Sequence, residues 1–295
     1  MPNISDSYVV KRYGQFEAGS AFVDRLQQRV GDFRNAGLGD KDFESQLYGQ
    51  SRDNFFSRLW ELNLAEILQY SGCVISSRPI GPDFFTRIED KNVWFEAVSP
   101  RPEGFPDEFD RQFSDDKIEV RDVPFRQILL RITSAIRDKA KKFEDYIKNG
   151  IVGASDVNII AVDVTQLGDY GDVGVSQSPT IVEATYPVGP LVLKIEIKTG
   201  KVVEEGLSYR PVIEKNASDR TIQVPTETFL SGAYSHIGAA ISGFGALQKT
   251  NFTLVHNVTA TNKLPLGTLR MDKEYFPRVE EGMISLIDVQ SKLPK

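Results

Sequence analysis

The sequence predicts an α/β protein: a mixed central sheet flanked by helices, its core elements running in the order helix, three strands, helix, strand. Three observations carry this. Two stretches, Phe55 to Tyr70 and Pro124 to Ile147, repeat apolar residues every three or four positions, the period of a helix with one buried face. Between them, Asp83 to Ile88 and Val93 to Val98 have the composition of paired strands. Beyond them, Val157 to Val164 (VNIIAVDV) is almost wholly apolar, as expected of a strand covered on both faces.

Taken in order, residues 1 to 50 are polar and mixed, with a helix predicted from Ala21 to Asn35, and read as an N-terminal helical cap. Phe56, Leu59, Trp60, Leu64, Ile67 and Leu68 form the buried stripe of the first core helix, and Gly72 follows its end. Cys73 to Ser76 reads as a short strand, closed by the turn signals Arg78-Pro79 and Gly81-Pro82. The two strands that follow are joined by Glu89-Asp90-Lys91-Asn92, a hairpin. Ser99 to Val120 holds Pro100, Pro102, Gly104 and Pro106 and reads as a long loop, the kind that inside a domain tends to be functional. Pro124 opens the second helix, whose stripe is Ile128, Ile132, Ala135, Ile136, Phe143 and Ile147, and Asn149-Gly150 closes it. After Thr165 the pattern is less regular. Thr180 to Tyr186, Leu191 to Thr199 and Phe252 to Asn257 look like strands, and the small-residue segment Phe229 to Leu247 looks helical. The chain thus divides into a cap (1–50), a core (51–165) and a β-rich C-terminal extension (166–295) packed on the core for recognition or dimerisation.

Composition excludes several classes. The 295 residues hold 35 Lys+Arg against 41 Asp+Glu, a net charge of −6, which rules out a histone-like polybasic binder. One cysteine, Cys73, excludes an intrachain disulfide and looks buried and inert; two distant histidines, His236 and His256, make structural zinc a poor fit and read as structural. No apolar run reaches the length of a membrane span, no signal peptide is evident, and the expectation is a soluble cytoplasmic protein. No Walker A loop, G-x-G-x-x-G or G-x-S-x-G is present, so no nucleotide cofactor is expected.

Charge is unevenly spread. Residues 103 to 119 carry seven acids against two bases, whereas residues 121 to 148 carry eight bases against four acids. Either this is solvated surface that pairs with itself, or the second helix faces phosphates through Arg131, Arg137, Lys141 and Lys142 beside an acidic loop.

The informative stretch runs from Ser57 to Pro100. It sets Glu61 on a helix, Pro82-Asp83 at a strand start and Glu96 in the next strand. Side chains alternate along a strand, so a hairpin loop of even length puts Asp83 and Glu96 on one face, close enough for two carboxylates to hold one ion. Two carboxylates, with the Ala97 carbonyl as a third ligand, suit Mg²⁺, which keeps several waters; Mn²⁺ is its substitute. Glu61 also has a plainer reading, an ion pair with Arg58 one turn earlier, and Glu66 competes with it as the helix carboxylate.

This segment resembles the PD-(D/E)xK nuclease superfamily, the restriction endonuclease-like proteins, over about Phe55 to Val164. The resemblance implies an αβββαβ core, with Glu61 as the helix carboxylate, Asp83 as the aspartate of the Pro-Asp pair and Glu96 as the acid of the tripeptide. One position departs: the tripeptide is Glu96-Ala97-Val98, with valine where the family places lysine. Lys139, at the border of the second helix's buried stripe, is the preferred replacement, ahead of Lys91 and Lys117. The resemblance further implies Mg²⁺-dependent hydrolysis of DNA leaving 5′-phosphate ends, a homodimer to cut both strands, and a restriction or host-defence role. The alternative is an inactive nuclease-fold protein that binds nucleic acid or a protein partner. Glu196-Ile197-Lys198 is a literal ExK with no helix carboxylate or Pro-Asp before it, and reads equally well as a solvated edge strand.

Overall fold

A computed structural model describes residues 4–14, 17–105, 122–168, 172–216, 220–245, 250–280 and 283–289. Most of the acidic stretch, Lys117 included, lies outside the described residues. Among those residues no helix is long and apolar enough to cross a membrane.

Helices α1 (Tyr8–Tyr13), α2 (Glu17–Asn35) and α3 (Phe43–Leu47) precede α4 (Arg52–Tyr70), the first core helix. The Ser51 side chain caps α4 by accepting the Asn54 N–H at 3.3 Å, and Gly72, at φ 87°, reverses the chain beyond it. The expected strand at Cys73 to Ser76 shrinks to a single bridge, Ser76 to Phe85. Prolines and Gly81 follow at once, leaving no further run of free N–H groups to extend the pairing. Cys73 is half-buried rather than buried, and burial raises its thiol pKa.

Strands β1 (Phe84–Ile88) and β2 (Lys91–Val98) form an antiparallel hairpin in which Phe84 faces Phe95 and Phe85 faces Trp94. Its loop is Glu89-Asp90 rather than four residues, with Glu89 at φ 53°; the length is still even, so the face assignment holds. Helix α5 (Phe125–Lys148) and strand β3 (Val157–Asp163), buried throughout, match their sequence patterns. Gly150, at φ 68°, ends the helix turn.

The chain after β3 departs most from expectation. Thr180–Thr185 is a buried helix, α6, not a strand: six consecutive buried residues have no period by which to tell the two apart. The small-residue segment is not helical. It holds two 3₁₀ turns and then strand β8 (Ala239–Phe244), in which Ala239 and Gly243 face the α4 side of the sheet and Ala240 faces the other. A Cβ at Gly243 would lie 2.2 Å from the Trp60 ring, and the Trp60 indole donates to the Ala161 carbonyl at 3.0 Å. Two separate hairpins, β4 (Val188–Ile195) with β5 (Val202–Tyr209) and β6 (Val212–Asn216) with β7 (Thr221–Pro225), precede β8. Strands β9 (Asn251–His256), β10 (Lys273–Glu280) and β11 (Met283–Asp288) complete one seven-stranded sheet of order β1-β2-β3-β8-β9-β10-β11. Pairs β2/β3, β3/β8 and β9/β10 are parallel and the rest antiparallel, a mixed sheet. The C-terminal region therefore supplies four strands to the same sheet.

Alternation along β2 and β3 divides the core in two. Phe95, Ala97, Ile159 and Ala161 pack under the N-terminal helices and α4, while Trp94, Ile160 and Val162 pack under α5 and α6. Glu96 lies on the α5 side of this division, and that alone decides which helix can meet it.

Candidate active site

Glu96 is the fourth in a run of five buried residues in β2 and is itself fully buried. A lone carboxylate there is costly, so partners are demanded. They come from α5: Lys139 Nζ lies 2.6 Å and Lys142 Nζ 2.7 Å from the same oxygen, Glu96 Oε1. The second oxygen, Oε2, is buried with no hydrogen-bond partner. Burial works against the charge of Lys142, but the Glu96 carboxylate and the Tyr146 hydroxyl more than offset it, and its pKa is raised.

Asp83 stands one residue before β1, and the hairpin register continued by one pair sets it opposite Glu96. Its Oδ2 accepts the Ala97 N–H at 2.7 Å. A strand residue's N–H and C=O point to the same edge, so the Ala97 carbonyl shares the edge on which Asp83 sits. Burial, then the Glu96 charge, push the Asp83 pKa up to about 6, against the Ala97 N–H, Lys139 and Lys142, which hold it down. Gly81, at φ 133°, makes the turn that delivers Pro82 and Asp83. Tyr146 pins that turn to α5 by donating its hydroxyl to the Gly81 carbonyl at 2.8 Å.

Glu61 reaches the same locality from α4. Burial and the charge of Asp83 raise its pKa to about 7, opposed by Arg58. Its plainer role is also real, since Arg58 Nη1 donates to Oε1 at 3.1 Å and to Oε2 at 2.9 Å. Glu66, the competing helix carboxylate, is held by Arg29 at 2.6 Å.

The structure thus brings Glu61, Asp83, Glu96, Ala97 and Lys139 to one locality. The four proposed phosphate contacts differ in their engagement: Lys142 sits on Glu96, Lys141 is exposed, Arg131 binds the Glu103 carbonyl and carboxylate, and Arg137 lies 3.4 Å from Asp138. Sequence reasoning missed Lys142 as a partner of Glu96 and missed Tyr146 altogether. Lys139, Lys142 and Tyr146 recur at steps of three and four, so one helix face carries all three, and that spacing was the available signal. Lys91, at the hairpin, donates to the Lys263 carbonyl instead.

The Glu196-Ile197-Lys198 tripeptide falls in a turn beyond the strand. Strand β4 ends at Ile195, Ile197 is 98% exposed, and Glu196 accepts from Thr199 within a turn. The histidines are structural: His236 Nε2 lies 3.0 Å from the Ala140 carbonyl, and His256 Nε2 lies 2.7 Å from the buried Glu274 carboxylate.

Among the described residues no group of three or more His, Cys, Asp and Glu is arranged to hold a metal. A Mg²⁺ site needs only one or two carboxylates, and the buried, unpartnered Glu96 Oε2 beside Asp83 fits that requirement. No family model matches the chain, and searches of curated proteins and of solved structures find no match.

Proposed function

We propose that this protein is a Mg²⁺-dependent endonuclease of the PD-(D/E)xK kind that hydrolyses DNA phosphodiesters, with its lysine supplied by α5 instead of by the strand tripeptide. The observation that carries the reading is the meeting of Asp83, Glu96 and Lys139, from three elements, around a buried carboxylate oxygen without a partner. Asp83, Glu96 Oε2 and the Ala97 carbonyl would hold the ion, which supplies a lowered pKa for water and neutralises charge on the phosphoryl oxygens. The remaining work belongs to the chain. Lys139 orients the attacking water and faces the charge that grows on the phosphate, while Lys142 keeps the Glu96 carboxylate directed. Water adds to phosphorus, the bond to the 3′ oxygen breaks, and the leaving oxygen takes a proton, giving 5′-phosphate and 3′-hydroxyl ends.

Cleaving both strands calls for two copies. The β4–β5 hairpin supports a homodimer, because Leu191, Leu193 and Ile195, alternate residues on one face of β4, are about half exposed and apolar. A restriction or host-defence role is part of this proposal by resemblance alone.

Glu96→Ala tests the reading in a plasmid-cleavage assay with Mg²⁺ or Mn²⁺. Loss of cleavage to background is expected, and full activity would end the assignment. One observation favours a second reading: Glu96 Oε1 already holds two ammonium groups, an arrangement that stabilises a carboxylate without any metal. An inactive binding protein would retain DNA without Mg²⁺-dependent cleavage, and Glu96→Ala would leave that retention unchanged.

A further inference from the structure

Helix α5 serves a second region that shares no residue with the carboxylate site. A cavity of about 610 Å³ opens between α5, the β6–β7 hairpin and the 3₁₀ turns before β8. That volume lies within the range of small-molecule sites.

Its walls are unequal in charge. Arg126, Arg131, Arg137 and Lys215 line it against two carboxylates, Glu103 and Glu227. Both acids are already engaged: Glu103 binds Arg131 at 3.0 Å, and Glu227 accepts from the Tyr209 hydroxyl at 3.0 Å. Arg126 and Lys215 have no side-chain partner among the described residues. Among the described residues the cavity is therefore left with two uncommitted cations.

A second observation is independent of charge. Thr133 lines the cavity at 7% exposure, and its Oγ1 is buried with no hydrogen-bond partner. A helical threonine ordinarily turns its hydroxyl to the carbonyl one turn back, and a buried unpaired hydroxyl is costly. This one makes no such bond. Leu130, Val224, Pro225 and Tyr234 supply an apolar and aromatic wall beside it.

We propose that this cavity binds a small phosphate-bearing ligand with a flat, weakly polar part, of the nucleoside monophosphate class. Arg126 and Lys215 hold the phosphate, and the ring lies on Leu130, Val224 and Pro225 beside Tyr234. The proposal stands apart from the nuclease reading, because neither Asp83 nor Glu96 touches the cavity.

Titration calorimetry of the full chain with AMP, GMP, CMP and UMP, and with pyrophosphate and adenosine alone, tests it. At least one mononucleotide should bind saturably, with pyrophosphate and the free nucleoside each at least 10-fold weaker. Arg126→Ala with Lys215→Ala should weaken binding 50-fold or more, with the urea midpoint of the double variant unchanged because both cations are exposed. The proposal falls if no mononucleotide saturates, if the double variant binds as well as the parent, or if a DNA duplex alone shows the Arg126 and Lys215 dependence.

Discussion

Replacing Lys139 by methionine keeps the length and the apolar stem of the side chain and removes the ammonium. Its magnitude follows from the geometry. A unit charge about 4 Å from a phosphoryl oxygen, at an effective dielectric near 20, contributes about 4 kcal/mol. Lys142 stands on the same carboxylate oxygen but is 46% exposed, against 21% for Lys139, so it recovers only part of that. A net loss of about 3 kcal/mol corresponds to about 10²-fold in single-turnover cleavage, within the range seen when one electrostatic contact is removed from a site. Stability should change less. Glu96 keeps one ammonium in Lys139→Met, so a cost of about 1–2 kcal/mol is expected, whereas Lys139→Met with Lys142→Met leaves the carboxylate buried alone and should cost about 3–5 kcal/mol. Val98 shares a strand face with Glu96 and is only half-buried, so Val98→Lys in the Lys139→Met background places an ammonium where the tripeptide lacks one. At least 10-fold of the lost rate should return. The assay is Mg²⁺-dependent nicking of supercoiled DNA under single-turnover conditions, run beside urea denaturation. Wild-type cleavage by Lys139→Met, accompanied by the stability loss, would refute the catalytic role and leave Lys139 as a neutralising partner only.

Tyr146→Phe removes the hydroxyl that ties α5 to the Gly81 turn; a 5- to 20-fold fall in cleavage with a stability change of about 1 kcal/mol is expected, and an unchanged rate would show that Asp83 is positioned without it. Gly243→Ala forces a Cβ into the Trp60 ring and should lower the unfolding free energy by about 1–3 kcal/mol in urea, unless Trp60 finds another seat. Asp163 is buried, accepts from Ser99 and Thr165, and has its pKa raised by burial from 3.8 to about 6. Between those values the native state binds more protons than the unfolded chain, so this group's contribution to stability falls as pH rises from about 4 to 6, by about 3 kcal/mol in all. Asp163→Asn should flatten that part of the urea stability profile, and an identical slope in the variant would contradict the shift.

The sequence by itself determined those parts of this protein whose physics is local. The stripes of α4 and α5, the apolar run of β3 and the even hairpin that sets Asp83 across from Glu96 all follow from period and turn chemistry within a few tens of residues. Glu96 stood out for the same reason, as an acid inside a buried strand. Other features were settled only when distant segments met. Buried from end to end, α6 gave no period, and the small Gly243 of β8 answers to Trp60, which lies about 180 positions earlier in the chain. The pairing of Lys139 and Lys142 with one oxygen depended on which sheet face α5 covers, and helical spacing alone could not say so. Equally, the cavity with its unpartnered Thr133 hydroxyl exists because the β6–β7 hairpin and the turns before β8 come to rest beside α5, a meeting of segments far apart in the chain that burial of apolar surface drives and no local pattern encodes.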